Sequence, residues 1–146
     1  MGIFNQIIHN KCLMVPIILW CIVQILKFFI ELIRNKKVDL KRLVGAGGMP
    51  SSHSAIVCSL ASCIGKEYGF DSGLFAISLI FAFVVMYDAC GVRRAAGKQA
   101  SLLNKIIETP GLSSVQVQEK LVEVLGHTPL QVIVGAIIGI TVGLLV

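Results

Sequence analysis

The chain has 146 residues, of which 55% are hydrophobic and 14% charged, and its mean hydropathy is +0.85. This composition lies outside the range of soluble domains, so it argues against a soluble enzyme and places the chain in a membrane. The length suits one membrane domain over residues 1–146 with a formal net charge of +5. We expect the membrane, and no nucleic acid, as its partner.

The cysteines and the N-terminus narrow the choice further. The five cysteines include no C-x-x-C pair, and four of them lie in or beside apolar runs, where a thiol packs as a small hydrophobe. We therefore predict no disulfide framework, no metal site and no cofactor. The first residues lack the basic segment, apolar core and cleavage site of a signal peptide, so the first apolar segment is expected to remain in the protein.

Uncharged runs predict the membrane-spanning helices, because a helix needs about 20 mostly apolar residues to cross the hydrocarbon. An amphipathic opening segment, residues 1–11, is followed by four predicted spans over residues 12–33, 52–68, 72–87 and 128–146. The second and third spans are short, so we expect them inside the bundle. The predicted fold is an all-α integral membrane protein, a bundle of about four transmembrane helices with short amphipathic surface helices.

The segment between the third and fourth spans carries most of the remaining charge. In RRAAGKQASLLNKIIE, residues 93–108, apolar pairs recur at helical spacing and leave one face polar. Thr109, Pro110 and Gly111 interrupt the pattern, and SSVQVQEKLVEVL restarts it with Ser113 and Gln116 as a capping box. We therefore predict two short amphipathic helices at the membrane surface.

The basic residues predict an orientation. They are concentrated after the first and third spans, whereas Lys11 and Lys66 are nearly alone at the opposite ends. The positive-inside bias then places both basic loops on the cytoplasmic side of a bacterial inner membrane and both termini outside. For most of these lysines, attraction to anionic lipid headgroups is a sufficient explanation.

The stretch GGMPSSHSA, residues 47–55, is polar although it directly precedes an apolar helix. Ser51 and Ser52 can cap the first N–H groups of that helix, and the partial positive charge there favours a bound anion. An ordinary helix cap at the membrane interface, with His53 snorkelling to water, is the alternative. The four-span arrangement brings further polar residues to the same membrane face: Asp88, Arg93, Arg94 and His127.

Four stretches together resemble the small divergent branch of the type 2 phosphatidic acid phosphatase superfamily, described as acid phosphatase or vanadium-dependent haloperoxidase related proteins. They are GGMPSSHS, VMYDACGVRRAAGKQA, the pair Leu103–Asn104 and LGHTPLQVIVGAIIGI, and they extend over nearly the whole chain. In the broader superfamily three blocks build the site, approximately K-x6-R-P, P-S-G-H and S-R-x5-H-x3-D. Here Pro50, Ser51 and His53 match the second block, and His127 matches the histidine of the third.

The resemblance implies a covalent mechanism. His127 would attack phosphorus to form a phosphohistidine, His53 would protonate the leaving oxygen, and basic residues would neutralise the phosphoryl oxygens, without a metal. The residues that we expect to bind the substrate are Lys27, Ser51, Ser52, Arg93, Arg94 and Gln131.

The chain departs from the first two blocks. Lys27 and Arg34 reproduce the K-x6-R spacing, but Asn35 replaces the proline. Lys27, Glu31 and Arg34 would also form an ion-paired helix face turned into the bundle, which explains the pattern equally well. Ser52 stands where glycine is usual in the second block.

The third block is split, and its acid is missing. Arg93 and Arg94 precede His127 by more than thirty residues, and Gln131 occupies the position of the orienting aspartate. A glutamine oxygen can hold the imidazole ring but offers no negative charge, and the equivalent loss costs about ten-thousand-fold in serine proteases. Asp88 is the best candidate for a compensating carboxylate, and a simple ion pair with Arg93 or Arg94 is the equal alternative.

Small residues mark two packing faces. Gly135, Gly139 and Gly143 recur every four residues in the fourth span, a spacing that lets two membrane helices approach closely. The second span repeats this rhythm with Ala55, Ser59 and Cys63. The glycine stripe serves either tight internal packing or a homodimer through the fourth helix.

Two function classes follow from these features. The first is an integral-membrane phosphatase that acts on a lipid phosphate or another phosphate monoester near the cytoplasmic surface. The second is a noncatalytic membrane protein that binds phosphate or anionic lipid as a scaffold or transport component. A soluble haloperoxidase-like activity is disfavoured because the chain has no soluble domain to carry it.

Overall fold

A computed structural model of the chain describes residues 2–35, 48–108, 121, 123 and 125–146, with residues 34 and 35 as backbone only. Within these residues the structure is helical and has no strand. The helices are α1 (Ile3–His9), α2 (Lys11–Asn35), α3 (Ser52–Tyr68), α4 (Gly73–Cys90), α5 (Val92–Glu108) and α6 (Pro129–Leu145). The second amphipathic helix, with its Ser113–Gln116 capping box, and the basic residues at 36–42 lie outside the described residues.

Short polar side chains start three of the helices. Ser51, Ser72 and Thr128 are the N-caps of α3, α4 and α6, and each accepts the backbone N–H three residues further on. Such caps satisfy N–H groups that have no partner inside the helix. The predicted capping by Ser51 is therefore confirmed, whereas Ser52 is already the first residue of α3.

Two helical stretches are long and apolar enough to cross a bilayer, Lys11–Ile33 and Gly73–Glu108. The helix α6 is apolar but has 17 residues, and α3 has 17 residues with several buried serines. Length and composition thus support two membrane-spanning helices, fewer than the four that we expected. The helix α3 packs against α2, α4 and α6, as predicted for a short polar span inside a bundle.

The contact between α3 and α6 contains both small-residue stripes. A Cβ atom at Gly139 would collide with the carbonyl oxygen of Ala55, and one at Gly143 would lie 2.6 Å from the carbonyl oxygen of Ser59. Gly135 likewise faces the start of α3, and all three glycines are buried. Of the two alternatives, the structure has internal packing, and the stripe is not open to a second copy of the chain.

Hydrogen bonds between helices fix the two ends of the bundle. At one end, which we call the histidine end, the His127 N–H donates to the Ala89 carbonyl over 2.9 Å and the Ser51 N–H to the Gln131 carbonyl over 3.0 Å. At the other end the Lys66 ammonium donates to the carbonyl of Leu144 over 3.0 Å. The starts of α3 and α6 therefore meet the end of α4.

Candidate functional site

Two histidines from distant parts of the chain meet at the histidine end. His53 is the second residue of α3, and His127 lies two residues before α6. Their ring centroids are 6.2 Å apart and the ring planes are inclined at 74°. The structure thus brings the two side chains together, as the sequence predicts.

The backbone that carries His127 lies against α5. Gly126 has φ of +84°, and a Cβ atom there would collide with the backbone nitrogen of Arg94. A Cβ atom at Gly97 would lie 2.6 Å from the carbonyl oxygen of Glu123. Only glycine permits this close approach at both positions, because a side chain would push the segment away from the helix.

Asn104 of α5 secures the same segment. Its side-chain N–H₂ group donates to the Leu121 carbonyl over 2.9 Å and to the Glu123 carboxylate over 2.8 Å. Its amide oxygen accepts the Leu121 N–H over 3.0 Å. A buried side chain that makes three hydrogen bonds holds the chain that leads to His127 in one position.

The starts of α3 and α6 are joined beside the histidines. The buried Ser51 hydroxyl accepts the Ser54 N–H over 3.3 Å and the Ser54 hydroxyl over 2.9 Å. Its N–H donates to the main chain of Gln131. Ser52 is also buried, so both predicted serines lie at the packed start of α3, next to His53 in the chain.

Lys27 brings a positive charge from α2 to the site. The side chain is buried, and its ammonium donates to the side-chain oxygen of Gln24 over 3.2 Å. Gly48, with φ of +84°, passes so close that a Cβ atom there would lie 3.3 Å from the Lys27 Cε. A buried cation in an apolar helix is expensive, and such residues usually serve a functional site. The side chain of Arg34, the other basic residue of this block, is not among those that the structure describes.

The His127 side chain is buried. Its side chain is 3% exposed, and neither ring nitrogen has a hydrogen-bond partner among the residues that the structure describes. Burial lowers the pKa of His127 most, and the charges of Lys27, His53 and Arg93 lower it further, to about 4. The ring is therefore neutral at pH 7 and keeps a lone pair for attack on an electrophile.

The arginines and Asp88 occupy the rim. The Arg93 guanidinium forms an ion pair with the Asp88 carboxylate, and both side chains are more than 40% exposed. Of the two alternatives for Asp88, the structure has the ion pair. Arg93 still acts electrostatically on both histidines. Arg94 contributes its backbone, which packs against Gly126.

Gln131 differs from the expected arrangement. Its side-chain oxygen accepts the Thr128 N–H over 2.9 Å, while the Thr128 hydroxyl accepts the Gln131 N–H. This is a complete capping box at the start of α6. The prediction that the Gln131 oxygen holds the imidazole ring is wrong, because that oxygen accepts the Thr128 N–H at the start of α6.

Sequence reasoning missed several residues that position the site. Gln24 holds Lys27, and Asn104 holds the segment before His127. Asn104 belongs to the Leu103–Asn104 pair of the family resemblance, but only its hydrogen bonds to Leu121 reveal its role. Among the residues that the structure describes, no group of three or more His, Cys, Asp or Glu side chains is arranged to hold a metal ion.

Comparisons with known proteins find related sequences. The sequence model of a family described as "Divergent PAP2 family" matches residues 8–142. A Bacillus subtilis (strain 168) protein with the name "Uncharacterized membrane protein YuiD" is 42% identical over 128 residues, which cover 80% of this chain and 81% of the relative. No solved structure matches the chain.

Proposed function

Because this chain belongs to the divergent PAP2 family, we propose that it is an integral-membrane phosphatase that hydrolyses a phosphate monoester, in the first place a lipid phosphate. One observation carries the proposal: the neutral His127 ring is buried, has no hydrogen-bond partner among the described residues, and lies 6.2 Å from the His53 ring between centroids. A buried polar ring that lacks partners costs free energy, which a bound ligand recovers. The match to a relative named as a membrane protein supports the proposal that the protein lies in a membrane.

The reaction proceeds in two steps. A ring nitrogen of His127 attacks phosphorus, a nitrogen–phosphorus bond forms, and the bond from phosphorus to the ester oxygen breaks while the protonated form of His53 donates a proton to that oxygen and becomes neutral. Water then attacks the phosphohistidine and gives its proton to His53. Inorganic phosphate leaves, and both histidines return to their starting forms.

Fixed positive groups stabilise the charge on the phosphoryl oxygens. The buried Lys27 ammonium and the N-terminus of α3 face the site from two sides, and Arg93 adds charge at the rim. Such preorganised charges act most strongly where water is excluded. Asp88 keeps Arg93 in place through their ion pair, and Arg94 supplies charge from the same turn.

The proposed location is the inner membrane of a bacterium, with the histidine end on the cytoplasmic face. The basic residues of α5 lie at this end and those of the opposite end are few, as the positive-inside bias requires. The reaction would therefore take place at the cytoplasmic surface.

The test uses the whole protein purified in detergent, with p-nitrophenyl phosphate as substrate and vanadate as inhibitor. Wild type is expected to hydrolyse the substrate and to trap a phosphoenzyme. His127→Ala is expected to lose both, with turnover reduced about 10⁴-fold or more, because no other group attacks phosphorus. His9→Ala, at the exposed end of α1, is the matched control and retains both. The same assay on inside-out and right-side-out vesicles tests which face of the membrane carries the histidine end.

A noncatalytic binding protein for phosphate or anionic lipid is the second candidate. It is favoured by Gln131, whose oxygen serves the capping box in a position where the superfamily block has an acid. Wild type that binds vanadate but hydrolyses nothing would support this candidate. Full turnover by His127→Ala would exclude the phosphohistidine mechanism.

A further inference from the structure

The helix α2 carries two neighbouring polar side chains that are buried in the bundle. Gln24 and Lys27 lie three residues apart, so both are on one face of the helix, and each is 6% exposed. Leu19 and Val23, also buried on α2, pack with Ala55 of α3. Polar groups inside a membrane helix are expensive and usually serve a function. An amide and an ammonium thus lie together in surroundings that are otherwise apolar.

A hydrogen bond joins the two side chains. The Lys27 ammonium donates to the Gln24 side-chain oxygen over 3.2 Å. An ammonium has three N–H donors and no acceptor, whereas the amide oxygen is a neutral acceptor. A carboxylate in its place would accept the same bond but would also offset the positive charge. Gln24 therefore takes up one donor of the buried cation without adding a negative charge beside it.

The Lys27 side chain is also held from outside its own helix. The backbone of Gly48, just before α3, passes so close that a Cβ atom there would lie 3.3 Å from the Lys27 Cε. Burial lowers the pKa of both His53 and His127 most, and the charge of Lys27 lowers both further. The ammonium that Gln24 holds is therefore within electrostatic range of both histidines.

Resting on the proposed function, we propose that Gln24 is a positioning residue for phosphate binding. Its neutral oxygen holds the Lys27 ammonium where the positive charge acts on the phosphoryl oxygens, and no negative charge at position 24 opposes the anion. The K-x6-R spacing begins at Lys27, so Gln24 lies outside the three superfamily blocks. A Gln24 that only filled space would leave anion binding unchanged when a side chain of similar size replaced it.

Vanadate binding tests the proposal without requiring turnover. The whole protein in detergent is titrated calorimetrically with vanadate, an anion that resembles phosphate. Gln24→Met keeps a similar volume but removes the acceptor, so the ammonium can leave its position. We expect the vanadate affinity to fall about 10- to 100-fold, the range for one hydrogen bond to a charged group. Gln24→Glu keeps the acceptor but places a negative charge beside the ammonium, and a decrease in the same range is expected.

A double-mutant cycle separates positioning from packing. In a Lys27→Met background, Gln24→Met should leave the remaining vanadate affinity unchanged, because Gln24 acts through Lys27. Gln6→Glu makes the same amide-to-carboxylate change at an exposed residue of α1 and should bind vanadate like wild type. Melting curves show whether each variant is folded. Gln24→Glu retains a hydrogen-bond acceptor, so the test does not depend on the folding of Gln24→Met.

Two results would overturn the role of Gln24. They are wild-type vanadate affinity in either Gln24 variant, and an equal effect of Gln24→Met with and without Lys27. The expected losses of affinity, in a protein whose wild type binds vanadate but hydrolyses nothing, would support the role of Gln24 and reject the phosphatase. Hydrolysis of p-nitrophenyl phosphate by wild type, with unchanged vanadate affinity in both Gln24 variants, would do the reverse. Wild type that neither binds vanadate nor hydrolyses the substrate would overturn both.

Discussion

Along the contact of α3 with α6, two glycines of α6 lie against carbonyl oxygens of α3, whereas at the histidine end of the same helices a buried imidazole has no partner among the described residues. The first region is close-packed, with little space for a side chain at Gly139 or Gly143. The second contains two buried polar groups, and burial and then the charge of Lys27 lower the pKa of His127 there. The close-packed contact thus fixes the starts of the two helices beside a polar region.

The largest expected effect is on the packed region. Gly139→Leu places a branched side chain against the Ala55 carbonyl, so α6 must separate from α3, and we expect destabilisation by more than about 3 kcal/mol or loss of the folded protein. Thr141→Leu, at an exposed position of the same helix, adds a similar side chain and is expected to melt like wild type. Equal melting curves of both variants in detergent would contradict the close-packed contact.

At the histidine end a substitution is expected to change chemistry and leave stability nearly intact. His53→Ala should reduce turnover of an alkyl phosphate by about 10²–10⁴-fold, the usual contribution of a general acid. The loss for p-nitrophenyl phosphate should be much smaller, since its leaving group needs little protonation. An equal loss for both substrates would remove His53 from the role of proton donor.

The smallest expected effect is a dependence of stability on pH. In the unfolded chain His127 regains an ordinary pKa near 6.5, whereas in the folded protein burial and neighbouring charges hold it at about 4. Between these values the unfolded state binds the extra proton, so stability is complete above pH 6.5 and falls as pH decreases towards 4. The loss is at most about 3 kcal/mol.

Melting temperatures from pH 7.5 to 4.5 measure this effect. Wild type should lose more stability across the range than His127→Ala, while His9→Ala should follow wild type. Parallel curves for wild type and His127→Ala would show that the ring is not buried in its neutral form. Gly139→Leu, if it folds, should keep the wild-type pH slope because its defect lies away from the titrating group.

The sequence predicted the parts of the fold that follow from local patterns. Apolar runs and caps such as Ser51 located the described helices to within a few residues, and alternation of the helices brought His53 and His127 to one end. It could not choose between internal packing and a dimer for Gly139, because the two contacts require the same spacing. That choice depended on which helix lies opposite.

Other features of the site depended on competition between partners. From the sequence, the Gln131 oxygen could accept a hydrogen bond either from the imidazole or from the start of its own helix. It accepts from the helix start, because that capping box closes within four residues. The pairing of Asn104 with Leu121 joins residues seventeen positions apart, which no periodicity predicts.

The Asn104 contact has a consequence for local unfolding. His127 is carried by a segment outside the α3–α6 contact; among the described residues, the Asn104 amide ties this segment to α5 and the His127 N–H ties it to α4. Segments that few interactions secure open as cooperative units of their own, at a lower free energy than the whole protein. The Leu121 N–H should therefore exchange with deuterium faster than the backbone of α3 and α6. Opening of that unit would withdraw the proposed nucleophile while the rest of the bundle remains folded.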